Sequence, residues 1–338
     1  MRRVLKFIAL ALAALIIFGV IYEQLGERAD KKRLPQIGHS VDIGGRSLNI
    51  FCSGPPREAT VIFDSGANES GYVWSSIQSS ISESVHSCWF DRAGFGWSDE
   101  GPFPRTAVAV SHDLHELLQR AGICAPYILV GHSSGGLNAR VFTGLYRSEV
   151  AGLVLVDAAH EDEPRRAPPM MLGKTAPRWA WHPIWTLGHV AKTIGLLRLI
   201  APKIDLPADR SKRTREQIVA ALRAQPKTIA TLFDPSGPDS YSQAEKTGKF
   251  GDLPLVVLTR GKIETNPHPS ESDRQFNAYT QVWMHEIQPK LAALSTRGEQ
   301  IIVPYSGHDI PNEAPIEIVN AITKVMLGGP SPPLKPCI

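Results

Sequence analysis

The sequence predicts an α/β fold, in which a mostly parallel sheet is covered by helices on both faces. Short, fully apolar strand segments alternate with segments whose apolar residues recur at helical spacing, a pattern typical of a sheet buried on both sides. A Gly-x-Ser-x-Gly motif lies between one of these strands and the helix after it. A long stretch without strand signals then interrupts the alternation and indicates a helical insertion.

The composition is that of a globular protein large enough to bury a substantial core. The chain has 338 residues, of which 43% are hydrophobic and 20% are charged, and its net charge is +3. The basic residues are scattered, whereas a nucleic-acid-binding surface needs a dense basic stripe on one side. We therefore expect no nucleic-acid partner.

The N-terminus has the pattern of a membrane-spanning segment. Three basic residues among the first six precede an uninterrupted apolar run from Phe7 to Tyr22. With Val4 and Leu5, a helix rising about 1.5 Å per residue approaches the ~30 Å hydrocarbon thickness. No clear signal-peptidase site follows, so residues 1–22 predict an uncleaved signal-anchor with the rest of the chain exported. A cleaved signal peptide, which would give a secreted protein, and a buried soluble helix are the alternatives.

Regular elements follow after a charged linker at residues 23–36. The α/β core is expected from residue 37, with its first strand near Ser40, to 157, and again over 252–327. Residues 158–251 lack strand signals, contain Trp179, Trp181 and Trp185, and predict a helical cap. The proline-rich tail 328–338 is expected to be extended. Within the core, strands are predicted at 40–43, 46–52, 60–63, 86–90, 128–130, 153–156, 253–258 and 300–303.

The segment around Ser133 predicts a catalytic nucleophile. It reads Gly131-His132-Ser133-Ser134-Gly135-Gly136 and lies directly after the apolar strand at 128–130. A nucleophile on a sharp strand-to-helix turn needs small neighbours, and the two flanking glycines meet this requirement. The backbone N–H of Ser134, at the start of the helix, can point at a developing oxyanion.

His308 is the predicted catalytic base. Of the 11 histidines, it alone lies in a Gly-His loop after the last predicted strand, within Tyr305-Ser306-Gly307-His308-Asp309. A histidine hydrogen-bonded to the serine hydroxyl accepts its proton and later returns it to the leaving group.

Residues 40–327 resemble the α/β-hydrolase superfamily. The resemblance rests on the serine motif, the Gly-His loop, the insertion after Val156, and the segment Asp91-Arg92-Ala93-Gly94-Phe95-Gly96-Trp97-Ser98, which occur in the family's order. It implies an α/β-hydrolase fold with an eight-stranded sheet and a helical cap after the sixth strand. It also implies that Ser65-Gly66 stands where the family usually has His-Gly, so that the second oxyanion donor is the N–H of Ala67.

The resemblance leaves two candidates for the acid that orients His308. Asp157 ends the strand before the cap, and Glu264 follows the strand after it. We favour Asp157, because a strand end fixes a side chain better than the Pro- and Ser-rich loop around Glu264.

These features together predict a serine hydrolase that forms an acyl-enzyme. No metal or organic cofactor is expected. The resemblance and the aromatic cap favour a small-molecule carboxylic ester or lactone with an apolar group. A serine peptidase, an acyltransferase, a carbon–carbon hydrolase and a ligand-binding module without turnover are the alternatives. A serine nucleophile disfavours epoxide hydrolysis, which uses a carboxylate in this superfamily.

The four cysteines, an even number in an exported chain, are compatible with disulfides, although four separate buried thiols are the alternative. Spacing alone does not choose among the three pairings. In the superfamily the second strand neighbours the fourth, which implies Cys52–Cys88. The family's last helix returns toward the start of the central strand, which implies Cys124–Cys337.

Overall fold

A computed structural model describes residues 1–168, 176–263 and 265–328. Its centre is an eight-stranded sheet with the strand order β1-β2-β4-β3-β5-β6-β7-β8. The first two strands pair antiparallel with their neighbours, and the other strands are parallel. The strands are β1 His39–Asp42, β2 Ser47–Ser53, β3 Thr60–Asp64, β4 Ser87–Phe90, β5 Tyr127–His132, β6 Val150–Val156, β7 Leu255–Arg260 and β8 Gly298–Val303.

Fourteen α-helices lie in the described part of the chain: α1 precedes the sheet, six helices lie between β6 and β7, and the other seven lie in the core. They are α1 Arg2–Arg33, α2 Ser75–Ile81, α3 Ala107–Arg120, α4 Ser134–Leu145, α5 Glu163–Arg166, α6 Trp181–Thr193, α7 Leu196–Ile200, α8 Arg215–Arg223, α9 Pro226–Thr231, α10 Gly237–Glu245, α11 Glu271–Val282, α12 Gln288–Ala292, α13 Ile310–Glu313 and α14 Pro315–Gly328.

The sheet carries a separate apolar core on each face, because side chains alternate along a strand. In β5, Leu129 packs in one core while Ile128 and Val130 pack in the other. Helices α3, α4 and α12 cover the first face, and α2 and α14 cover the second. The predicted fold class is therefore confirmed, including the helical insertion after the sixth strand.

The helical segment between β7 and β8 is interrupted by a wider turn. Between α11 and α12, residues Trp283–Ile287 form a π-helical turn. Such turns are rare and occur often at functional sites. Apolar periodicity does not distinguish a π turn from an α-helical one, so the sequence could not reveal it.

The N-terminal helix is longer than predicted. By length and composition, α1 is apolar enough to cross a membrane, and residues 1–18 are exposed along their whole length. The segment 23–36, predicted to be a linker, instead continues α1 to Arg33. Glu23 and Leu34 are only 3% and 4% exposed, so the folded part of the chain begins well before Ser40.

The predicted disulfide between Cys52 and Cys88 is confirmed. The two residues oppose each other in the antiparallel pair of β2 and β4, and their sulfur atoms are bonded. The second predicted pairing, Cys124–Cys337, involves a residue outside the described ranges and stays a prediction.

Removing the Cys52–Cys88 disulfide should destabilise the protein. A bond that closes a 36-residue separation restricts the unfolded chain and contributes about 4 kcal/mol in the entropy model. We expect the double variant Cys52→Ser, Cys88→Ser to lose free energy of unfolding of this order in urea titrations. Reduction of the disulfide in the wild-type protein should lower its free energy of unfolding by a similar amount. The double variant, which lacks this bond, should not show that loss. An unchanged urea midpoint in the variant would contradict the prediction.

Candidate active site

Ser133 lies on a sharp turn that joins β5 to α4. Its backbone has φ 52° and ψ −120°, a conformation that residues other than glycine rarely adopt. A Cβ atom at Gly131 would approach the carbonyl oxygen of Gly135 to 2.5 Å, and one at Gly135 would approach the carbonyl oxygen of Asp64 to 2.5 Å. Both flanking glycines are therefore required by close backbone contacts, as the sequence predicted.

The structure brings Ser133, His308 and Asp157 together from three loops at the carboxyl ends of strands. The His308 Nε2 atom lies 3.1 Å from the Ser133 Oγ atom. The Nδ1 atom of the same ring lies 2.5 Å from Asp157 Oδ2. This is the arrangement of a nucleophile, a base and an acid that orients the base. Glu264, the alternative acid, lies outside the described residues.

Asp157 is fully buried and held by four donors. It accepts hydrogen bonds from the Trp283 indole N–H at 2.7 Å and from the backbone N–H of Arg260 at 3.0 Å. The Arg260 guanidinium lies 3.2 Å from its second oxygen, which also faces His308. Burial raises the pKa of Asp157, but the His308 hydrogen bond and the Arg260 charge outweigh burial and lower it. The carboxylate is therefore ionised and fixed in position.

The lowered pKa of Asp157 predicts a pH-dependent contribution to stability. As the pH falls, the unfolded chain takes up the proton on this group before the folded chain does. The stabilisation is thus fully present above the unfolded-state pKa of about 4 and is lost as the pH falls through the lower folded-state value. We expect the difference in free energy of unfolding between wild type and Asp157→Asn to be smaller at pH 3 than at pH 7. Urea unfolding at both values measures it, and a constant difference would contradict the assignment.

Arg260 and Trp283 are site residues that the sequence analysis missed. The π turn presents the Trp283 indole to Asp157, and the Arg260 guanidinium lies over the same ring at 4.9 Å from its centroid. Arg260 is 6% exposed and ends β7, beside the end of β6. An arginine at the carboxyl end of a buried strand was the available signal, since a buried cation needs an acidic partner.

The two predicted oxyanion donors border one cavity. Ala67 and Ser134 both line a space of about 320 Å³ beside the nucleophile. Arg92 positions the loop before Ala67, because its guanidinium donates to the carbonyl oxygens of Ser65 and Gly66 and to the Asp64 carboxylate. The loop that replaces the family's usual His-Gly is thus held by a buried arginine.

Asp91, next to Arg92, organises the backbone behind this loop. Its carboxylate is fully buried and accepts hydrogen bonds from the Asn49 side chain at 2.9 Å and from the N–H groups of Gly71 and Trp97 at 2.7 and 2.9 Å. These hydrogen bonds lower the pKa of Asp91, but burial outweighs them and the pKa is raised. The Asp-Arg motif that the sequence singled out therefore supports the site from behind.

A second polar cluster connects the cap to the loop at residues 65–67, which carries the proposed donor Ala67 and is called the oxyanion loop below. Glu69 accepts a hydrogen bond from the Gly66 N–H at 3.0 Å and one from Arg223, at the end of cap helix α8. Its carboxylate lies 3.7 Å from Nδ1 of the buried His132, whose Nε2 atom is 2.9 Å from the carbonyl oxygen of His308. Burial lowers the pKa of His132, but the Glu69 carboxylate outweighs it and the pKa is raised.

A larger cavity of about 1020 Å³ adjoins the first and is lined by cap residues. The two cavities share Leu232, Asp234, Gly237 and Tyr241 in their linings. The apolar part of its wall comes mainly from aliphatic residues and one phenylalanine: Ile184, Ile229, Leu232, Phe233 and Pro235. The three cap tryptophans expected to form an apolar site do not line it, and Trp179 is 81% exposed.

Four carboxyl groups lie in the wall of the larger cavity, namely Glu161, Glu163, Asp234 and Glu245. Glu163 accepts a hydrogen bond from the Tyr241 hydroxyl at 3.2 Å. This hydrogen bond lowers the pKa of Glu163, but burial outweighs it and the pKa is raised above its ordinary value. Burial and the nearby Glu163 carboxylate also raise the pKa of Tyr241. Glu163 is therefore protonated more readily than an exposed glutamate.

Metal ligation was not expected from the sequence. Within the described ranges, one group of three side chains could share a metal ion, namely Cys52, His86 and Cys88. The disulfide occupies both sulfur atoms, and the group lies on β2 and β4 rather than beside Ser133.

The chain belongs to the alpha/beta hydrolase family, whose model matches residues 61–322. A thermophilic esterase from Thermogutta terrifontis has a similar structure, with a TM-score of 0.50 and 18% identity over 86% of this chain and 98% of that one. The epoxide hydrolase CorEH has a TM-score of 0.57 and 17% identity, with the same shares covered. The fold and the family together define the protein as an α/β hydrolase, as the sequence predicted.

One relative by sequence is similar to only part of this chain. A probable transporter from Hormonema carpetanum is 34% identical over 128 residues, which are 36% of this chain and 18% of that protein. The chain therefore spans less than a fifth of that relative's length.

Proposed function

We propose that this protein is a membrane-anchored serine hydrolase that cleaves a carboxylic ester or lactone with an apolar group. The observation that carries the proposal is the geometry at Ser133. Its hydroxyl lies 3.1 Å from a histidine nitrogen, and the same histidine is hydrogen-bonded to a buried carboxylate. Glu264 stays the alternative acid, and Asp157 is preferred because of this hydrogen bond.

The proposed reaction proceeds in two acyl-transfer steps. His308 accepts the proton of Ser133 as the Oγ atom attacks the carbonyl carbon, and the N–H groups of Ser134 and Ala67 stabilise the oxyanion. His308 then donates this proton to the leaving alcohol as the carbon–oxygen bond breaks. Water, deprotonated by His308, attacks the acyl-enzyme and releases the acid and the free serine. Asp157 keeps the His308 ring oriented throughout.

The two adjoining cavities support an apolar substrate group. The smaller one adjoins the proposed oxyanion donors, and the larger one has an aliphatic part in its wall beside charged side chains. The aliphatic part suits an acyl chain of moderate length, because apolar walls bind apolar ligands.

A chain-length panel of p-nitrophenyl esters tests the proposed substrate class. We expect steady release of p-nitrophenol, with kcat/KM rising from acetate to medium-length acyl chains as the larger cavity is filled. Leu232 lines both cavities, so Leu232→Trp adds bulk where they adjoin. This variant should have a weaker preference for longer acyl chains and should keep its activity on the acetate ester. A single turnover without further release would support a binding module instead.

Membrane anchoring is proposed from α1. Residues 1–18 are exposed and, apart from Arg2, Arg3 and Lys6, apolar, and they have no packing partner in the described part of the chain, which suits a helix surrounded by lipid. Basic residues precede the apolar run, and this supports an orientation with the N-terminus in the cytoplasm.

Deleting residues 1–18 should release a soluble and active enzyme. The deletion leaves the contacts of Glu23 and Leu34 with the folded part intact. We expect the intact protein to resist carbonate extraction, the shortened one to be soluble, and both to hydrolyse a water-soluble ester equally. A deletion of residues 1–34 is the matched control and should be less stable to heat. Recovery of the intact chain in the carbonate supernatant would contradict the anchor.

A further inference from the structure

The second half of α1 is docked against the cap. Gly19, Glu23, Gly26 and Asp30 recur at helical spacing on one side of α1. The Glu23 carboxylate accepts two hydrogen bonds from Arg198, at 2.8 and 3.0 Å, and Asp30 accepts a third at 2.7 Å. Glu23 is 3% exposed. The contact is therefore a buried and bidentate ion pair, unlike an exposed salt bridge.

The two glycines of this side allow close approach. A Cβ atom at Gly19 would come within 2.3 Å of the Ile194 carbonyl oxygen, and one at Gly26 within 2.2 Å of the Arg198 guanidinium. A second cap residue, Lys192, pairs with Glu27 at 2.7 Å. These contacts fix the direction in which α1 leaves the folded part, so the cap has a defined position relative to the proposed anchor.

The two cap helices beside α1 each expose apolar side chains on one side. In α6 the exposed apolar side chains are Leu187 and Val190, three positions apart. In α7 they are Leu196, Leu199 and Ile200, at spacings of three and four. These spacings place them on one side of each helix. Leu199 and Ile200 are 67% and 70% exposed. We call this set the cap apolar face: Leu187, Val190, Leu196, Leu199 and Ile200.

The cap apolar face adjoins the point where the apolar run of α1 ends. The turn between α6 and α7 contacts α1 at Gly19 and Tyr22, because Cβ positions at Gly195 would meet both residues within 2.9 Å. Tyr22 ends the apolar run of α1, and tyrosine favours the membrane–water boundary. The apolar run of α1 therefore ends beside the turn that joins the two helices of the cap apolar face. Water exposure of such a face is unfavourable, and a contiguous apolar patch commonly marks an interaction site.

We propose that the cap apolar face inserts into the surface of the lipid bilayer that α1 enters. The inference rests on the proposed anchoring and goes beyond it, because it assigns the cap itself to the membrane interface. An amphipathic helix in that position buries its apolar side among the acyl chains and keeps its polar side toward the protein. Here the polar side is Lys192 and Arg198, both of which face α1.

Nitroxide labels on the full-length protein in dioleoylphosphatidylcholine vesicles test the proposal. Single substitutions Leu199→Cys, Leu12→Cys and Leu145→Cys are labelled without reductant, and the wild-type chain gives the background. Leu12 reports on the anchor. Leu145 is an exposed leucine at the far end of α4, about 18 Å along that helix from the Ser133 edge, and is the matched control. Accessibility of each label to oxygen and to nickel-EDDA separates lipid from water.

The three labels give distinguishable results. We expect Leu12 and Leu199 to be more accessible to oxygen and Leu145 to be more accessible to nickel-EDDA. A lipid-exposed Leu12 with a water-exposed Leu199 would overturn the cap proposal and leave the anchor intact. A water-exposed Leu12 would overturn both. Protection of Leu199 from both reagents, with dipolar broadening, would mean that a second copy of the chain covers the face and would also overturn the proposal.

Discussion

Replacing Ser133 by alanine is expected to lower turnover by about four to six orders of magnitude. The hydroxyl at the β5–α4 turn is the only protein nucleophile in the proposed mechanism, and its loss leaves only binding and oxyanion stabilisation. Labelling by a fluorophosphonate probe should disappear as well. The measurement is steady-state hydrolysis of a p-nitrophenyl ester together with gel detection of the probe.

Ser134→Ala is the matched control for this prediction. It removes the neighbouring hydroxyl but keeps the backbone N–H proposed as an oxyanion donor. Labelling and turnover should be retained, while thermal unfolding checks that both variants are folded. Labelling of Ser133→Ala at the wild-type rate would move the nucleophile elsewhere.

Replacing Asp157 by asparagine is expected to lower kcat by about four orders of magnitude. An amide in place of the carboxylate stabilises the wrong tautomer of the orienting histidine, and this loss is typical of triads. The change also removes the partner of Arg260 in a fully buried position, so a loss of stability should accompany it. Turnover should therefore be measured well below the unfolding temperature of the variant.

Glu264→Gln separates the two candidate acids. If Asp157 orients His308, the glutamine variant keeps turnover near that of wild type. If instead Glu264→Gln is the crippling change and Asp157→Asn is mild, the acid belongs to the loop after β7. The two variants carry the same chemical change, so the comparison is independent of the overall charge removed.

The sequence was sufficient for features that depend on local pattern. The parallel strands could be predicted because their residues are apolar on both faces, and the turn at Ser133 because glycines flank it between a strand and a helix. Gly-His after the last strand was enough to select His308. In each case the signal lies within a few residues of the feature.

Long-range side-chain partners could not be predicted in the same way. Trp283 reaches Asp157 only because of a π turn, and the two residues are 126 positions apart. Glu23 was assigned to a linker because its partner Arg198 is 175 positions away. The cap tryptophans were expected to line a binding site, but a helical segment of uncertain orientation does not reveal which side faces the cavity.

Glu69 couples the position of the cap to the order of the oxyanion loop. One carboxylate binds both Arg223 on α8 and the Gly66 N–H, directly before Ala67. A displacement of α8 that admits substrate also withdraws one restraint from the loop that carries the proposed donor. The position of α8 and the preorganisation of the proposed donor would therefore change together. A weak substrate that fails to hold the cap closed would react slowly even with its carbonyl correctly placed at Ser133.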